Sequence, residues 1–200
     1  FLTNDITWNP NSFYTQKGFV NTLEGVFKNT NYEATNTTDY KTEGTVNEFS
    51  GVLSFKSALP MKKEKIGYTN IFSPNFMLRY APGHMRNLSG DDLTLKYANL
   101  YSTNKTSVIE DGLSEILGFD FNINKKDKNG NKREKLSVSM GQVFNSEEND
   151  NMPSKSSLDQ KMSDLVGEIN YNFSKIGNIG YKFSLDHNFN DINYNEVSTS

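Results

Sequence analysis

The sequence predicts an all-β chain, an antiparallel meander of about nine strands. Three observations predict it: a two-residue alternation of apolar and polar side chains, alternating runs longer than ordinary strands, and turn sequences between the runs. Only 34% of the residues are hydrophobic, yet 14 Phe and 10 Tyr supply one apolar face. The net charge of −3 gives no sign of a nucleic-acid-binding surface. The chain has no Cys, which excludes disulfides and thiolate metal sites in it.

The alternation is clearest in five runs: 45–57, 75–81, 137–144, 164–173 and 177–190. Noisier strands are predicted near 3–8, 18–32, 113–124 and 194–200. The apolar residues that share one face are Phe49, Leu53, Phe55, Leu78, Tyr80, Val138, Met140, Ile169, Tyr171, Tyr181, Phe183 and Leu185. The opposite, polar face carries Glu48, Lys56, Arg79, Ser139, Glu168, Asn170, Lys182 and Asp186.

The length of these runs favours a membrane protein. A tilted strand needs about 9–11 residues to cross a bilayer, whereas soluble strands mostly have about 5–6. The last run alternates from Ile179 to Phe189. In outer-membrane barrels the apolar face meets lipid and the polar face lines a water-filled lumen. We therefore predict an arc of a large transmembrane outer-membrane β-barrel, with the apolar set facing lipid and the polar set facing the lumen.

The connections predict the sidedness of this arc. Residues 125–132 form a charged turn around Asn129-Gly130, and residues 174–178 form a second tight turn. The connections 83–112 and 145–163 are long. Because each strand crosses once, successive connections alternate between two rims. The long ones should leave together at the cell surface and the short turns at the periplasmic rim.

The ends of the chain suggest a piece of a larger domain. The sequence opens at Phe1 without a signal-like segment, and residues 193–200 stop inside a predicted strand. A bacterial barrel usually has an even number of strands and must close on itself, because an open edge in lipid leaves unpaired backbone groups. We expect residues 1–200 to form part of one barrel domain.

Four segments occur in an order typical of one family. They are 73–83, which contains Leu78-Arg79-Tyr80, then 110–119, 139–144 and 157–167. In this order they resemble the barrel of the lipopolysaccharide-assembly family LptD. The residues that carry the resemblance are Arg79, Pro82, Gly112, Leu113, Gly118, Gly141, Gln142, Ser157, Leu158, Ser163, Asp164 and Gly167.

The resemblance implies transport without chemistry and without a cofactor. Members of the family insert lipopolysaccharide into the outer leaflet of the Gram-negative outer membrane. Their partners are an LptE-like lipoprotein in the barrel lumen and the periplasmic Lpt bridge proteins. Lys56, Arg79, Lys182 and Asp186 become lumen candidates for glycolipid contact, with pairing of the cations to Glu48 or Asp186 as the alternative. Studied members carry disulfides, whereas this sequence has no Cys.

Other functions remain open at this level. His84 and His187 lie far apart, catalytic motifs are absent, and the acidic stretch 147–150 lacks the spacing of a calcium loop. We therefore predict neither an enzyme nor a metal site. A porin or receptor-type transporter would share the alternation. A soluble β-rich binding module would instead bury the aromatic face against a second sheet.

Overall fold

The computed structural model describes residues 2–36, 44–83, 85–106, 108–126, 131–173 and 177–199. They form one antiparallel sheet of eleven strands. The strands are β1 (Leu2–Trp8), β2 (Phe13–Tyr14), β3 (Val20–Ala34), β4 (Gly44–Ala58), β5 (Met61–Lys65), β6 (Tyr68–Ala81), β7 (Gly112–Lys126), β8 (Lys132–Asn145), β9 (Leu165–Asn172), β10 (Asn178–Leu185) and β11 (Ile192–Thr199). The helices are short: α1 (Tyr97–Leu100) and a 3-10 turn at Ser154–Ser156.

The sheet is a meander of nine positions. The order is β1-β3-β4-β6-β7-β8-β9-β10-β11, with β2 added to β3 and β5 added to β6. The nine strands of this path pair in chain order, as predicted, and the two added strands β2 and β5 each pair with the strand that follows them. Within the described residues, β1 and β11 each pair on one side only, so the sheet is not closed. The predicted all-β fold is confirmed, and the absence of long helices is confirmed for the described part of the chain.

Two prolines explain why β4 and β5 are separate strands. Ala58 pairs with Asn75 and Met61 pairs with Phe72, so the same register continues across the break. Pro60 and Pro74 lie in this break, and proline has no N–H to donate to a ladder. One hydrogen bond, from Leu59 N to Pro74 O at 3.1 Å, spans it. The predicted run 75–81 was too short, because β6 begins at Tyr68 and continues through Pro74.

The predicted run 177–190 was too long. Strand β10 ends at Leu185, and Asp186 begins a turn that returns the chain to β11. The Asp186 carboxylate accepts a hydrogen bond from the Asn188 N–H at 3.0 Å, and Phe189 has a φ of 60°. An Asp side chain that binds the backbone two residues later competes with strand pairing. His187 and Phe189 therefore lie in a turn, although their spacing continues the alternation.

The two faces of the sheet differ in what covers them. We call the face that carries Lys56, Met77 and Ile116 the covered face, and the face that carries Leu53, Leu78 and Tyr80 the open face. The long connection between β6 and β7 folds back over the covered face. We call residues 85–106 and 108–110 of this connection the inner segment. No second sheet covers the open face among the described residues.

The main core lies between the inner segment and the covered face. Met77, Ile116, Val143 and Val166 come from four neighbouring strands and are at most 1% exposed. The inner segment contributes Met85, Leu88, Leu95 and Leu100, and the connection between β8 and β9 contributes Met152 and Leu158. Burial of this apolar surface fixes both connections against the sheet.

The connections leave the sheet at two ends. Ala81 pairs with Gly112, and Ser114 with Asn145, so both long connections start at one end, as the parity argument predicted. We call it the long-connection end. The hairpins at Lys126–Lys132 and Asn172–Asn178 close the other, short-turn end. The predicted turn residues Asn129-Gly130 and 174–176 lie outside the described residues. In the described part of the chain, no helix is long and apolar enough to span a membrane.

Candidate functional site: an inner segment anchored on the covered face

A buried arginine holds one end of the inner segment. Arg79 on β6 donates from Nε to the Thr103 carbonyl at 2.7 Å and from Nη2 to the Glu110 carbonyl at 2.5 Å. Its guanidinium is also 4.0 Å from the Glu110 carboxylate, and the two side chains are 1% and 8% exposed. Ser54 on β4 adds a 2.7 Å hydrogen bond to Thr103. These contacts satisfy the backbone groups of an irregular segment that would otherwise be buried without partners.

We call the contacts of Arg79 with Thr103 and Glu110 the anchor, and the residues next to it are buried or half-buried. The Glu110 carboxylate accepts a hydrogen bond from the Lys105 backbone N–H at 2.5 Å. Burial lowers the pKa of the Lys105 amine, while the Glu110 charge raises it less. The Lys105 Nζ donates to the Ser102 carbonyl at 3.3 Å. The segment is therefore folded on itself at the point where Arg79 binds it.

A second polar contact holds the middle of the segment. Asp120 on β7 accepts hydrogen bonds from Tyr97 at 2.7 Å, Asn75 at 2.6 Å and Ser139 at 2.7 Å. Burial raises the pKa of the Tyr97 phenol, and the Asp120 carboxylate raises it further. Burial also raises the pKa of Tyr101. Asp120 thus links three strands to α1.

Two glycines on the covered face make room for α1. A Cβ added to Gly118 would collide with the Met140 carbonyl and the Tyr101 hydroxyl. One added to Gly141 would collide with the Leu100 side chain and lie 2.9 Å from the Leu117 carbonyl. A side chain at either position would therefore force the inner segment or the neighbouring strand to shift. Both glycines belong to the family motif found in the sequence.

The connection between β8 and β9 is held by other residues of that motif. The Ser163 hydroxyl accepts from the Val143 N–H at 2.9 Å and donates to the Asp164 carbonyl. Asp164 accepts hydrogen bonds from Ser184 at 2.7 Å and Asn193 at 2.9 Å. Ser157, with a φ of 55°, accepts from the Asp164 N–H at 2.8 Å.

The remaining motif residues have varied surroundings. Gly112 has a φ of 101°, a conformation that favours glycine. Gln142 donates to the Ser163 carbonyl at 2.6 Å, and Leu158 lies in the core. Gly167 leaves space for the Phe183 ring on the open face. Leu113 and Pro82 are exposed.

The four lumen candidates lie in different environments. Lys56 lies on the covered face, with Nζ 4.4 Å from the centre of the Tyr101 ring. Arg79 is buried in the anchor. Lys182 is 3.1 Å from Glu196, rather than paired with Asp186 or Glu48. Asp186 lies in the turn after β10 and is 3.2 Å from His187, so its predicted place on the strand was wrong.

The apolar set shares the open face. Cross-strand pairs join Leu53 to Tyr80, Phe55 to Leu78, and Ile169 to both Val138 and Tyr181. Phe49, Leu53, Leu78, Tyr80 and Tyr171 are between 37% and 69% exposed. Phe183 is an exception at 7% exposed, because its ring lies over Gly167 and stacks on Tyr181. Met140 and Leu185 belong to the same face by register.

Two cavities flank the anchor. One of about 430 Å³ lies between the inner segment and β1, β3 and β4, with Asp5, Lys28, Glu48 and Arg86 in its lining. In it Lys28 is 3.1 Å from Asp5, and Arg86 is 3.8 Å from Glu48. The other, of about 340 Å³, opens at the long-connection end and is lined by acidic and amide residues of 145–151. Among the described residues, no group of three side chains is suited to hold a metal ion.

Sequence reasoning missed the partners that fix the inner segment. Asp120 was not singled out, although a carboxylate between Phe119 and Phe121 is a recognisable signal in a strand. Glu110 belonged to a motif segment, but its partner Arg79 was assigned to an open lumen. Nothing in the sequence showed that residues 85–110 would cover that side chain. His84 lies outside the described residues.

Comparison with known proteins identifies the family. A search of curated proteins finds no match. The family model described as LptD, LPS transport system D, matches residues 3–200, nearly the whole chain. The meander of long antiparallel strands agrees with a β-barrel architecture. The chain therefore belongs to the LptD family of Gram-negative outer-membrane proteins, which act in lipopolysaccharide transport and assembly.

Proposed function

We propose that this chain forms part of the wall of an outer-membrane translocon that inserts lipopolysaccharide into the outer leaflet. The observation that carries the proposal is a single sheet with two unlike faces in a member of this family. The open face presents Phe49, Leu53 and Tyr80 without a protein partner among the described residues. A soluble monomer rarely exposes so large an apolar surface, whereas lipid removes it from water. The other lipid-facing candidates are Phe55, Leu78, Ile169, Tyr171, Tyr181, Phe183 and Leu185.

The covered face would then line the lumen. The charged cavity between the inner segment and β1, β3 and β4 suits the sugars and phosphates of a glycolipid better than Arg79 does, because Arg79 is buried. Lys56 and Lys182 remain candidates for contact with the glycolipid. A complete wall needs strands that pair with β1 and β11, since an open edge in lipid leaves backbone groups unsatisfied. An LptE-like lipoprotein in the lumen and periplasmic Lpt bridge proteins complete the proposed system.

The sidedness can be tested by labelling. The long-connection end would face the cell surface and the short-turn end the periplasm. Ser154→Cys, exposed in the connection between β8 and β9, should react with an impermeant maleimide on intact cells. Ile66→Cys, fully exposed at the tip of the β5–β6 turn, should react only after the outer membrane is opened. Equal labelling of both positions on intact cells would contradict this orientation.

The transport role needs a separate test. Depletion of the protein should lower surface lipopolysaccharide while other outer-membrane barrels still assemble. Re-expression of the wild-type protein is the control. Normal surface lipopolysaccharide after depletion would contradict the transport proposal, while the fold assignment would still hold.

A further inference from the structure

Positive charge is concentrated at the short-turn end of the open face. Lys65 pairs with Tyr68, Tyr68 pairs with Lys125, and Lys125 pairs with Arg133. These residues lie on the open face because Tyr68 and Phe72 are four residues apart on one strand. We call Lys65, Lys125 and Arg133 the basic row. All three side chains are exposed.

The acidic residues nearby lie on the other face. Glu64 pairs in register with Thr69, and Glu134 with Asn124, which places both carboxylates on the covered side. There Glu64 binds Lys62 at 2.5 Å and Lys126 at 3.0 Å. Among the described residues, no carboxylate contacts the basic row. Like charges directly opposite each other in an antiparallel pair are destabilising. Because Lys125 lies opposite Arg133, an anion from outside the sheet would stabilise this pair.

Two further cations extend the row. Lys63 shares its face, since it pairs with Asn70. Lys135 is the extra residue at a register shift in β8, and its Nζ lies 4.4 Å from the centre of the Tyr171 ring. A small cavity of about 90 Å³ is lined by these three cations, Lys125, Arg133 and Lys135, together with one carboxylate, Glu134, and with Asn172 and Phe173.

The surroundings of the row favour a lipid over a protein as the source of this anion. Further along the strands, four residues from Tyr68 and Lys125 and five from Arg133, the same face carries Phe72, Phe121 and Val138, and Val138 pairs with Ile169. Apolar side chains followed by aromatics and then cations mark a membrane interface. Lys and Arg can lay their stems on the apolar surface while their charges reach the headgroups.

We propose that the basic row, with Lys63 and Lys135, binds anionic phospholipid headgroups in the leaflet at the short-turn end. This inference rests on the proposed function in one respect, that the open face lies in a bilayer. It adds a lipid class and a leaflet to that proposal. The binding is electrostatic and weakens as salt screens it.

The test compares two triple variants of the full-length protein in phosphatidylethanolamine bilayers. Lys65→Gln/Lys125→Gln/Arg133→Gln removes the basic row. Lys62→Gln/Lys126→Gln/Lys132→Gln removes the same charge from the covered side of the same end. Electron spin resonance then measures the association of spin-labelled phosphatidylglycerol relative to spin-labelled phosphatidylcholine. The wild type and the covered-side variant should prefer phosphatidylglycerol by about threefold or more, and the basic-row variant should lose this preference.

Three results would overturn the proposal. One is an equal preference for phosphatidylglycerol in all three proteins. Another is a loss confined to the covered-side variant. The third is an unchanged lipid preference together with loss of an acidic protein that co-purifies with the wild type. Because no lipopolysaccharide is present, the outcome is independent of the depletion test. One combination of results separates the two proposals: only the basic-row variant loses the preference for phosphatidylglycerol, and surface lipopolysaccharide stays normal after depletion. That result would support the lipid-binding surface and contradict lipopolysaccharide as the cargo.

Discussion

Arg79 lies 4.0 Å from the carboxylate of Glu110, and both side chains are buried. The same guanidinium donates to the carbonyls of Thr103 and Glu110. A single side chain on β6 thus donates to two carbonyl acceptors of the inner segment and forms an ion pair with its Glu110 carboxylate. This ties the position of the segment to one residue of the sheet.

Arg79→Met should release the inner segment. Removing one partner of a buried ion pair typically costs about 3–5 kcal/mol, because the other partner stays buried without compensation. Urea unfolding of the full-length protein should show this loss, and trypsin should cut faster at Lys96 and Lys105. Lys182→Met is the control, because both side chains of the ion pair between Lys182 and Glu196 are exposed, at 43% and 41%. Equal trypsin rates in wild type and Arg79→Met would contradict the anchoring role.

Gly118→Ala and Gly141→Ala should each weaken the docking of α1. The new methyl group meets the backbone on one side and Tyr101 or Leu100 on the other. Overpacking of this kind typically costs about 1–3 kcal/mol. Gly90→Ala is the control, because nothing lies within 4 Å of its added Cβ. The free energy of unfolding measures the effect, and a cost for Gly90→Ala as large as for Gly118→Ala would argue against it.

The stability of the docked segment should fall as pH rises above 10. The pKa of Tyr97 is raised from its ordinary 10.0 in the folded protein, first by burial and then by Asp120. The folded state therefore keeps a proton that the unfolded state loses, and stability declines with pH in that range. Below pH 10 the contribution is fully present.

Tyr97→Phe tests this dependence. It should cost about 1–2 kcal/mol near neutral pH through loss of the hydrogen bond to Asp120. It should also reduce the decline above pH 10 to the part that Tyr101, whose pKa is raised as well, contributes. Tyr14→Phe, at an exposed position, is the control. The free energy of unfolding, measured from pH 8 to pH 11 in steps of about half a pH unit, tests this prediction. An unchanged slope in Tyr97→Phe would show that another group governs the decline.

A charge placed on the open face should cost most near the centre of the apolar band. Leu53→Arg should destabilise the protein in a bilayer by about 2–4 kcal/mol, whereas a position near the interface costs about 0–1 kcal/mol. Asn47→Arg is the matched control, on the same face of the same strand but beyond Phe49 toward the long-connection end. Unfolding from lipid bilayers compares the two. A similar cost for both would mean that the open face does not contact lipid.

The alternating runs predicted most of the sheet because each strand has one apolar and one polar face. The prediction worked best in β4, where the run 45–57 matches Gly44–Ala58 to within one residue at each end. It was weaker in β7, where Ile116 is apolar on the covered face because the inner segment packs on it. The site could not be predicted in this way, since the Arg79–Glu110 contact joins residues 31 apart through an irregular segment. Hydrophobic periodicity carries no signal for such a contact.

The 82–111 connection also affects the order in which the sheet can assemble. The hairpins β7–β8 and β9–β10 close over short links, whereas β6 reaches β7 only after a loop about six times longer. A sixfold longer loop adds only ~1.6 kcal/mol of closure entropy, which the 14-residue pairing of β6 with β7 can offset. Contacts distant in sequence form more slowly than local ones. The local hairpins should therefore form first, and the docking of β6 on β7 and of β8 on β9, each after a long connection, joins them into one sheet.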